Sequence, residues 1–342
     1  RDNDLLAGTT TAKDVGVVLY PDAHALFIWA ELRTVAHRPL NPYRISPETE
    51  HTLHHNVFPY WVDRTFREWV RTARGAPRCQ EIDERFAAYF TWKTVGISHT
   101  IPDFPRLLRL GARGLAAEID DELRLQTNGD TKKRDLLAAM RLTLDGLTAY
   151  ARALATEAKA QAAREQGPHR RDELLHIAAT CSRVPEFPAE TLDEAVQSIW
   201  ITWIGMHMEN TNTGLSLGRL DQWLQPYFAA DMRRMKTDAA RETYIHHAIE
   251  LIGCFYLRST DHVPLVPDIG NYLFGGSSSD QAITLGGVTP SGESGVCDMT
   301  YIFLKVTEML KLRDPNVNAR YSVEKNSDTY LRRLCEVNLV TT

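Results

Sequence analysis

The chain has 342 residues, of which 43% are hydrophobic and 24% are charged, and its net charge is −5. This composition is typical of a soluble globular protein and excludes a disordered chain. The acidic balance argues against nucleic acid or an anionic membrane as a partner, and no apolar run approaches the roughly 18 residues that span a bilayer. The length allows two or three domains or one large barrel.

Cysteine and histidine usage points to a cytoplasmic protein without a metal site. The five cysteines form no CxxC pair, and their odd number argues against a disulfide framework. A reducing cytoplasm fits this pattern best. The runs His51 to His55 and His246–His247 lack the further ligands that a zinc site needs, so we interpret both as solvated helix faces.

Hydrophobic periodicity predicts a mostly helical first two thirds. An extended segment, Val15 to Tyr20, comes first. The helices that follow are expected from Pro21 to about Val35, from Ser46–Pro47 to near Pro59, from Lys132 to the Gly167–Pro168 stop, from Arg170 to Arg183, and from a capping signature at Thr191 to Met208. The last of these carries a wide apolar stripe and should be buried.

A turn between helices carries His99 and Asp103. Gly96 and Pro102 interrupt the helical pattern here, and the two polar side chains stand four residues apart. An aspartate can orient a histidine that carries a proton or binds a hydroxyl group. The alternative is that Asp103 caps the next helix and His99 is satisfied by backbone.

The stretch from Glu209 to Gln222 is rich in amides and lies between two apolar helical runs. Asn210, Asn212 and Ser216 could line a small-molecule site, because such sites are mostly apolar with a few polar groups that fix the ligand. The same residues could form an ordinary connection whose side chains satisfy its own backbone, since they are common turn residues.

The last third alternates strands and helices. Two helices cover Leu220 to Asp231 and Ala239 to Leu257, and the Gly/Ser-rich loop after them lacks a phosphate-binding pattern. A strand at Gln281–Val288, a helix at Met299–Lys311, an extended segment at Pro315–Ser322 and a helix from Asn326 follow, before an apolar, β-prone end at Leu339–Thr342. This order is typical of parallel βαβ units, in which ligands gather at the carboxyl ends of the strands.

Several motifs in this order resemble the pyruvate formate-lyase-like glycyl radical enzymes. They are Gly218-Arg219-Leu220-Asp221-Gln222, Ile283 to Gly292, Met299 to Leu304, Asp314 to Arg320, and, further back, Ile97 to Thr100 and Pro59 to Trp61. The resemblance spans nearly the whole chain. It implies a helical shell around a ten-stranded α/β barrel, of which residues 1–270 would form mostly shell and residues 271–342 the first barrel units, with the C-terminal glycyl radical domain absent.

The resemblance also implies an enzyme of anaerobic metabolism. Such enzymes bind no separate cofactor and carry an oxygen-sensitive glycyl radical, installed by a radical-SAM activating enzyme. The radical generates a thiyl cysteine that abstracts hydrogen from a small substrate. We expect a homodimer, with that cysteine and the radical glycine both beyond Thr342. The 342-residue piece, cut at both ends, should therefore be inactive alone.

Three functions remain open from the sequence. The first is a lyase or dehydratase that acts on a small polar substrate. The second is formate acetyltransferase, for which Arg219 and Arg320 are candidate carboxylate ligands, although both could be structural. The third, on the condition that the chain is complete, is a non-catalytic helical binding protein. We predict that His99, Asp103, Asn210, Asn212, Ser216 and Asn318 face one cavity near the carboxyl end of the strand at Ile283.

Overall fold

The computed structural model describes residues 3–12, 16–73, 77–85, 87, 99–126, 130–209, 214–273, 275–276 and 281–341. Helices dominate this part of the chain. They are α1 Pro21–Glu31, α2 Pro47–Thr52, α3 Phe58–Trp61, α4 Phe66–Ala73, α5 Pro77–Glu84, α6 Phe104–Leu125, α7 Thr131–Arg164, α8 Pro168–Arg183, α9 Leu192–Glu209, α10 Leu220–Arg234, α11 Asp238–Ser259, α12 Asp268–Leu273, α13 Asp298–Leu310 and α14 Asp328–Thr341. None of them is long and apolar enough to cross a membrane.

The amino-terminal segment pairs with a later part of the chain in a small two-stranded sheet. Strand β1, Gly16–Val18, pairs in parallel with β3, His262–Pro264. Helix α2 begins where predicted, because the Ser46 hydroxyl accepts a hydrogen bond from the Thr49 N–H at 3.2 Å and proline follows the cap. The chain then continues through a π-helical turn, Leu53–Val57, into α3.

The long amphipathic helix predicted from Lys132 is confirmed as α7, which has 34 residues. Its carboxyl-terminal half packs small side chains, including Ala151, Ala155 and Ala158, against Ile177 and Cys181 of α8. Alanine suits this position because it has high helix propensity and lets two helices approach closely. These helices form the outer layer.

Helix α9 is the buried centre of the helical part. Trp200 and Trp203 stack with ring centroids 4.7 Å apart, and both side chains are almost completely buried. The Thr191 hydroxyl accepts a hydrogen bond from the Glu194 N–H at 3.2 Å, which confirms the predicted start of this helix. The apolar stripe of α9 packs with α10, α11 and α13 in the largest hydrophobic cluster.

A parallel three-stranded sheet lies against this core. Its order is β2 (Ser216–Gly218), β4 (Ala282–Gly286) and β5 (Asn316–Arg320), with β4 in the middle. The strand, helix and strand predicted from residue 281 onward are confirmed as β4, α13 and β5. Strand β2 of this sheet lies before residue 271, in the part of the chain that was predicted to be mostly helical shell. The division into a shell of residues 1–270 and barrel units of residues 271–342 stays a prediction.

The prediction of a β-prone end at Leu339–Thr342 is wrong for the described residues, because Leu339 to Thr341 form the last turn of α14. The apolar run at this end does not distinguish helix from strand by itself. The helix is held by its buried face, on which Tyr330 is fully buried and Val337 is 4% exposed. Tertiary packing therefore decides the conformation of the segment.

Candidate functional site

The three-stranded sheet has one apolar face and one polar face. Leu217, Ile283 and Leu285 are completely buried against the helices. Side chains alternate between the two sides of a strand, so the neighbours of these residues point the other way. These neighbours form the polar sheet face, which we define as Ser216, Thr284, Asn316 and Asn318.

The register brings these four side chains together. Ala282 pairs with both Ser216 and Asn316, and Thr284 pairs with Asn318. The Asn318 side-chain amide donates to the Asn316 side-chain oxygen at 3.3 Å. Ser216 and Thr284 are half-buried, whereas both asparagines are exposed. The face thus offers hydroxyl and amide groups, which are neutral donors and acceptors. Thr284 and Asn316 were not among the predicted site residues, although alternation along the predicted strands could have indicated them.

His99 lies at one end of this face. Its ring contacts Gly214, two residues before Ser216, and the Ser216 N–H donates to the Thr100 carbonyl at 2.9 Å. The His99 side chain is exposed in this chain. The structure therefore brings His99 close to Ser216, although more than 100 residues separate them in sequence.

The expected location at the carboxyl end of the strand at Ile283 is wrong for His99 and Ser216. Ser216 pairs with Ala282, the first residue of β4, so both lie at the amino end of the sheet. The physical reason is that β2 and β4 are parallel, and a turn that precedes β2 must lie where both strands begin. Asn318 pairs with Thr284 at the middle of β4.

The other predicted site residues separate into two groups. Asp103 is exposed and accepts a hydrogen bond from the Arg106 N–H at 3.1 Å, which is the helix-capping arrangement considered from the sequence. Its part in the shared cavity stays a prediction. Asn210 and Asn212 lie outside the described residues.

Arg219 is engaged with the backbone at the carboxyl end of β4. Its guanidinium donates to the Val288 carbonyl at 2.8 Å and to the Gly286 carbonyl. This matches the structural alternative considered for Arg219, because these N–H groups are used inside the protein. Arg320 ends β5, is exposed, and pairs with Gly286 in the sheet register. By alternation it lies on the same side as Asn318.

A buried carboxylate that sequence reasoning missed lies next to Arg219. Asp221 is completely buried, and one of its oxygens accepts hydrogen bonds from the Gly286 N–H and the Thr300 hydroxyl, each at 2.7 Å. Burial raises the pKa of Asp221, and these hydrogen bonds oppose the shift. The Gln222 amide also donates to the Gly286 carbonyl at 3.2 Å.

These contacts fix the Gly286–Gly287 turn that ends β4. Both glycines have positive φ, +61° and +70°, a conformation that other residues rarely adopt. The Asn326 amide donates to the Gly287 carbonyl at 2.8 Å. The turn is therefore held from α10, α13 and the segment before α14. Two adjacent glycines near the end of the predicted strand Gln281–Val288 were the available signal for it.

The residues that define the polar sheet face include none of the four described cysteines, Cys181, Cys254, Cys297 and Cys335. Cys181 lies on α8 and Cys254 on α11, and burial raises their pKa values to about 12 and about 11. Both thiols therefore stay protonated near neutral pH. Within the described residues, no group of three histidine, cysteine or carboxylate side chains is arranged to hold a metal ion.

Comparison with known proteins identifies the family. A family model described as "Pyruvate formate lyase-like" matches residues 1–342. The chain belongs to the pyruvate formate lyase-like family. Similar members include isethionate sulfite-lyase of Nitratidesulfovibrio vulgaris, 28% identical over 98% of this chain and 41% of that protein. Trans-4-hydroxy-L-proline dehydratase of Clostridioides difficile is 28% identical over 99% of this chain and 42% of that protein.

A solved structure of the family shows the same fold. The crystal structure of a glycyl radical enzyme from Archaeoglobus fulgidus superposes with a TM-score of 0.88 at 28% identity, over 99% of this chain and 43% of that one. The helix-rich α/β fold with a partial parallel sheet, predicted from the sequence, is thereby confirmed. The chain spans about two fifths of the length of the curated relatives it matches.

Proposed function

We propose that this chain is part of a glycyl radical enzyme that removes a group from a small polar substrate, as a lyase or a dehydratase. The observation that carries the proposal is the match of the whole chain to the pyruvate formate lyase-like family, in which similar members are a sulfite-lyase and a dehydratase. The substrates of those members carry hydroxyl groups, and the proposal assigns a substrate of that kind to this protein.

The polar sheet face supports a substrate of this type. Ser216, Thr284 and Asn318 offer uncharged groups that can accept from and donate to a hydroxyl group. Behind them, Ile283 and Leu285 are completely buried in the hydrophobic core, which holds the strand that carries Thr284. Asp103, Asn210 and Asn212 belong to the same proposal as further groups around the substrate.

In this proposal a protein glycyl radical, installed by a separate activating enzyme, supplies hydrogen abstraction through a cysteine outside this chain. The four described thiols are compatible with that assignment, because Cys181, Cys254 and Cys335 lie on helices and Cys297 donates to the Asp221 carbonyl. The task of the chain's own residues is to bind and orient the substrate and to exclude water. The proposal includes a homodimer located in the cytoplasm, which light scattering on the purified protein and cell fractionation would examine.

The engagement of Arg219 favours this function over formate acetyltransferase. Formate acetyltransferase was considered with Arg219 and Arg320 as ligands of its carboxylate substrate, but Arg219 donates to the carbonyls of Gly286 and Val288. Arg320 alone of the two candidates has an exposed side chain. A neutral polar face is better matched to a hydroxyl group that is eliminated.

The test uses the full-length protein, activated under anaerobic conditions with its activating enzyme. We expect a glycyl radical in the electron paramagnetic resonance spectrum and turnover of at least one of isethionate, trans-4-hydroxy-L-proline and propane-1,2-diol. Asn318→Ala should lower kcat/KM about tenfold, the effect of one lost hydrogen bond to substrate. Asn56→Ala, an exposed asparagine in the amino-terminal segment, is the control and should be neutral. Turnover of pyruvate with coenzyme A, or a radical without any elimination, would contradict the proposal.

A further inference from the structure

The His99 ring lies directly against the backbone of Gly214. A Cβ atom built on Gly214 would lie 2.8 Å from His99 Cδ2 and 2.9 Å from His99 Nε2. Carbon atoms of real side chains do not approach other heavy atoms this closely, so the imidazole occupies the space that any other residue at position 214 would fill. The absence of a side chain at Gly214 is therefore what allows the ring to lie where it does.

The backbone on both sides supports this placement. His99 has φ +55° and Gly214 has φ +72°, so both residues adopt the left-handed conformation. Histidine is uncommon there, and a residue held in this region indicates that its surroundings fix it. The hydrogen bond from the Ser216 N–H to the Thr100 carbonyl, at 2.9 Å, joins the two segments next to the contact. The ring is thereby held beside the first residue of the polar sheet face.

We propose that Gly214 is a positioning residue, which seats the His99 imidazole at the amino end of the polar sheet face so that the ring can contact the substrate. The contact of the His99 ring with the substrate rests on the proposed function. The seating of the ring by Gly214 does not, because it can be observed in the protein without substrate. Because the atoms that a Cβ would meet belong to a side chain that can rotate, substitution of Gly214 should move the ring and leave the fold intact.

The test compares Gly214→Ala with Gly292→Ala in the activated full-length protein. Gly292 also has positive φ, +84°, and no described atom lies within 4 Å of its Cβ position, so this variant reports backbone strain without a steric clash. We expect Gly214→Ala to lower kcat/KM about tenfold or more, since a displacement of about 1 Å can cost up to about 100-fold. Gly292→Ala should stay within about twofold of the wild type.

The same substitution made in a His99→Ala protein separates displacement of the His99 ring from backbone strain at position 214. His99→Ala removes Cγ, Cδ2 and Nε2, the atoms that a Cβ at position 214 would meet. In that background Gly214→Ala should therefore have no further effect beyond that of Gly292→Ala, a non-additivity expected of residues in contact. An equal loss with and without the His99 ring would overturn the proposal.

A crystal structure of Gly214→Ala distinguishes failure of this inference from failure of the proposed function. The ring should be displaced from its wild-type position even if no substrate is turned over. An unmoved ring would refute the positioning role, whereas a moved ring in a protein without lyase or dehydratase activity would refute the proposed function alone.

Discussion

The buried carboxylate of Asp221 gives the most demanding test of how the end of β4 is held. Asp221→Ala removes the acceptor for two buried donors, the Gly286 N–H and the Thr300 hydroxyl. A buried donor left without a partner costs about 1–3 kcal/mol, so the two together predict a loss of about 2–6 kcal/mol in the free energy of unfolding. The loss should be large because Asp221 and Thr300 are both completely buried, which leaves no water to replace the acceptor.

Asp221→Asn should lower the free energy of unfolding less than Asp221→Ala, because an asparagine side chain has the same shape. The asparagine oxygen can take the position of the carboxylate oxygen that accepts from Gly286 and Thr300, which preserves both contacts. The new amide group then faces the Gln222 N–H, which donates to the other carboxylate oxygen at 2.8 Å in the wild type. One contact is lost, whereas Asp221→Ala loses all three, so we expect a loss below about 2 kcal/mol.

The assay is urea unfolding followed by tryptophan fluorescence, with the wild type and both variants measured side by side. Asp238→Ala is the control, because the Asp238 side chain is 98% exposed and pairs only at the surface with Arg241. Such a pair contributes at most about 1 kcal/mol. If Asp221→Ala unfolds within about 1 kcal/mol of this control, the view that Asp221 holds the Gly286 turn is refuted.

Three further predictions concern the side chains of His262, His247 and Arg320. Burial lowers the pKa of the His262 imidazole to about 3. Between about pH 6.5 and pH 3 the imidazole is therefore protonated in the unfolded chain only, so the free energy of unfolding should fall by about 2 kcal/mol by pH 5. His262→Gln should remove this pH dependence. The hydrogen bond to Asp193 raises the pKa of His247, so the protonated imidazole stabilises the folded protein. The loss in the free energy of unfolding caused by His247→Gln should therefore be largest near pH 5.5 and should fade as pH rises through the pKa of His247 in the folded protein. The matched control is His246→Gln, a substitution at the exposed neighbouring position. Arg320→Gln should raise KM about tenfold for an anionic substrate and leave KM for a neutral diol unchanged in steady-state assays.

The helices could be predicted because their evidence is local. The apolar repeat that indicates α7 lies within the 34 residues that form it. The caps at Ser46 and Thr191 were also visible from neighbouring residues. Strands β4 and β5 were predicted for the same reason, since each is a short segment of its own bounded by glycine or proline.

The missed features depend on partners distant in sequence. Strand β2 has three residues and exists because Ser216 and Gly218 pair with β4, more than 60 residues later. Without β2, the parallel geometry that places the His99 turn at the amino end of the sheet could not be deduced. Asp221 likewise looks like an ordinary helix residue until Gly286 and Thr300, 65 and 79 residues away, are seen to donate to it.

The two ends of the sheet carry different kinds of polar group. At the carboxyl end, the two terminal guanidinium nitrogens of Arg219 and both carboxylate oxygens of Asp221 have hydrogen-bond partners within the protein, so they fix the shape of the turn. At the amino end, the groups around Ser216 are neutral and the histidine is seated by a contact that only glycine permits. Neutral donors and acceptors suit the hydroxyl group of the proposed substrate, and the exposed Arg320 lies on the same side of the sheet as Asn318. This separation explains why the motif Gly218 to Gln222, the most charged part of the stretch, holds the turn while the neutral residue Ser216 before it contributes to the polar sheet face.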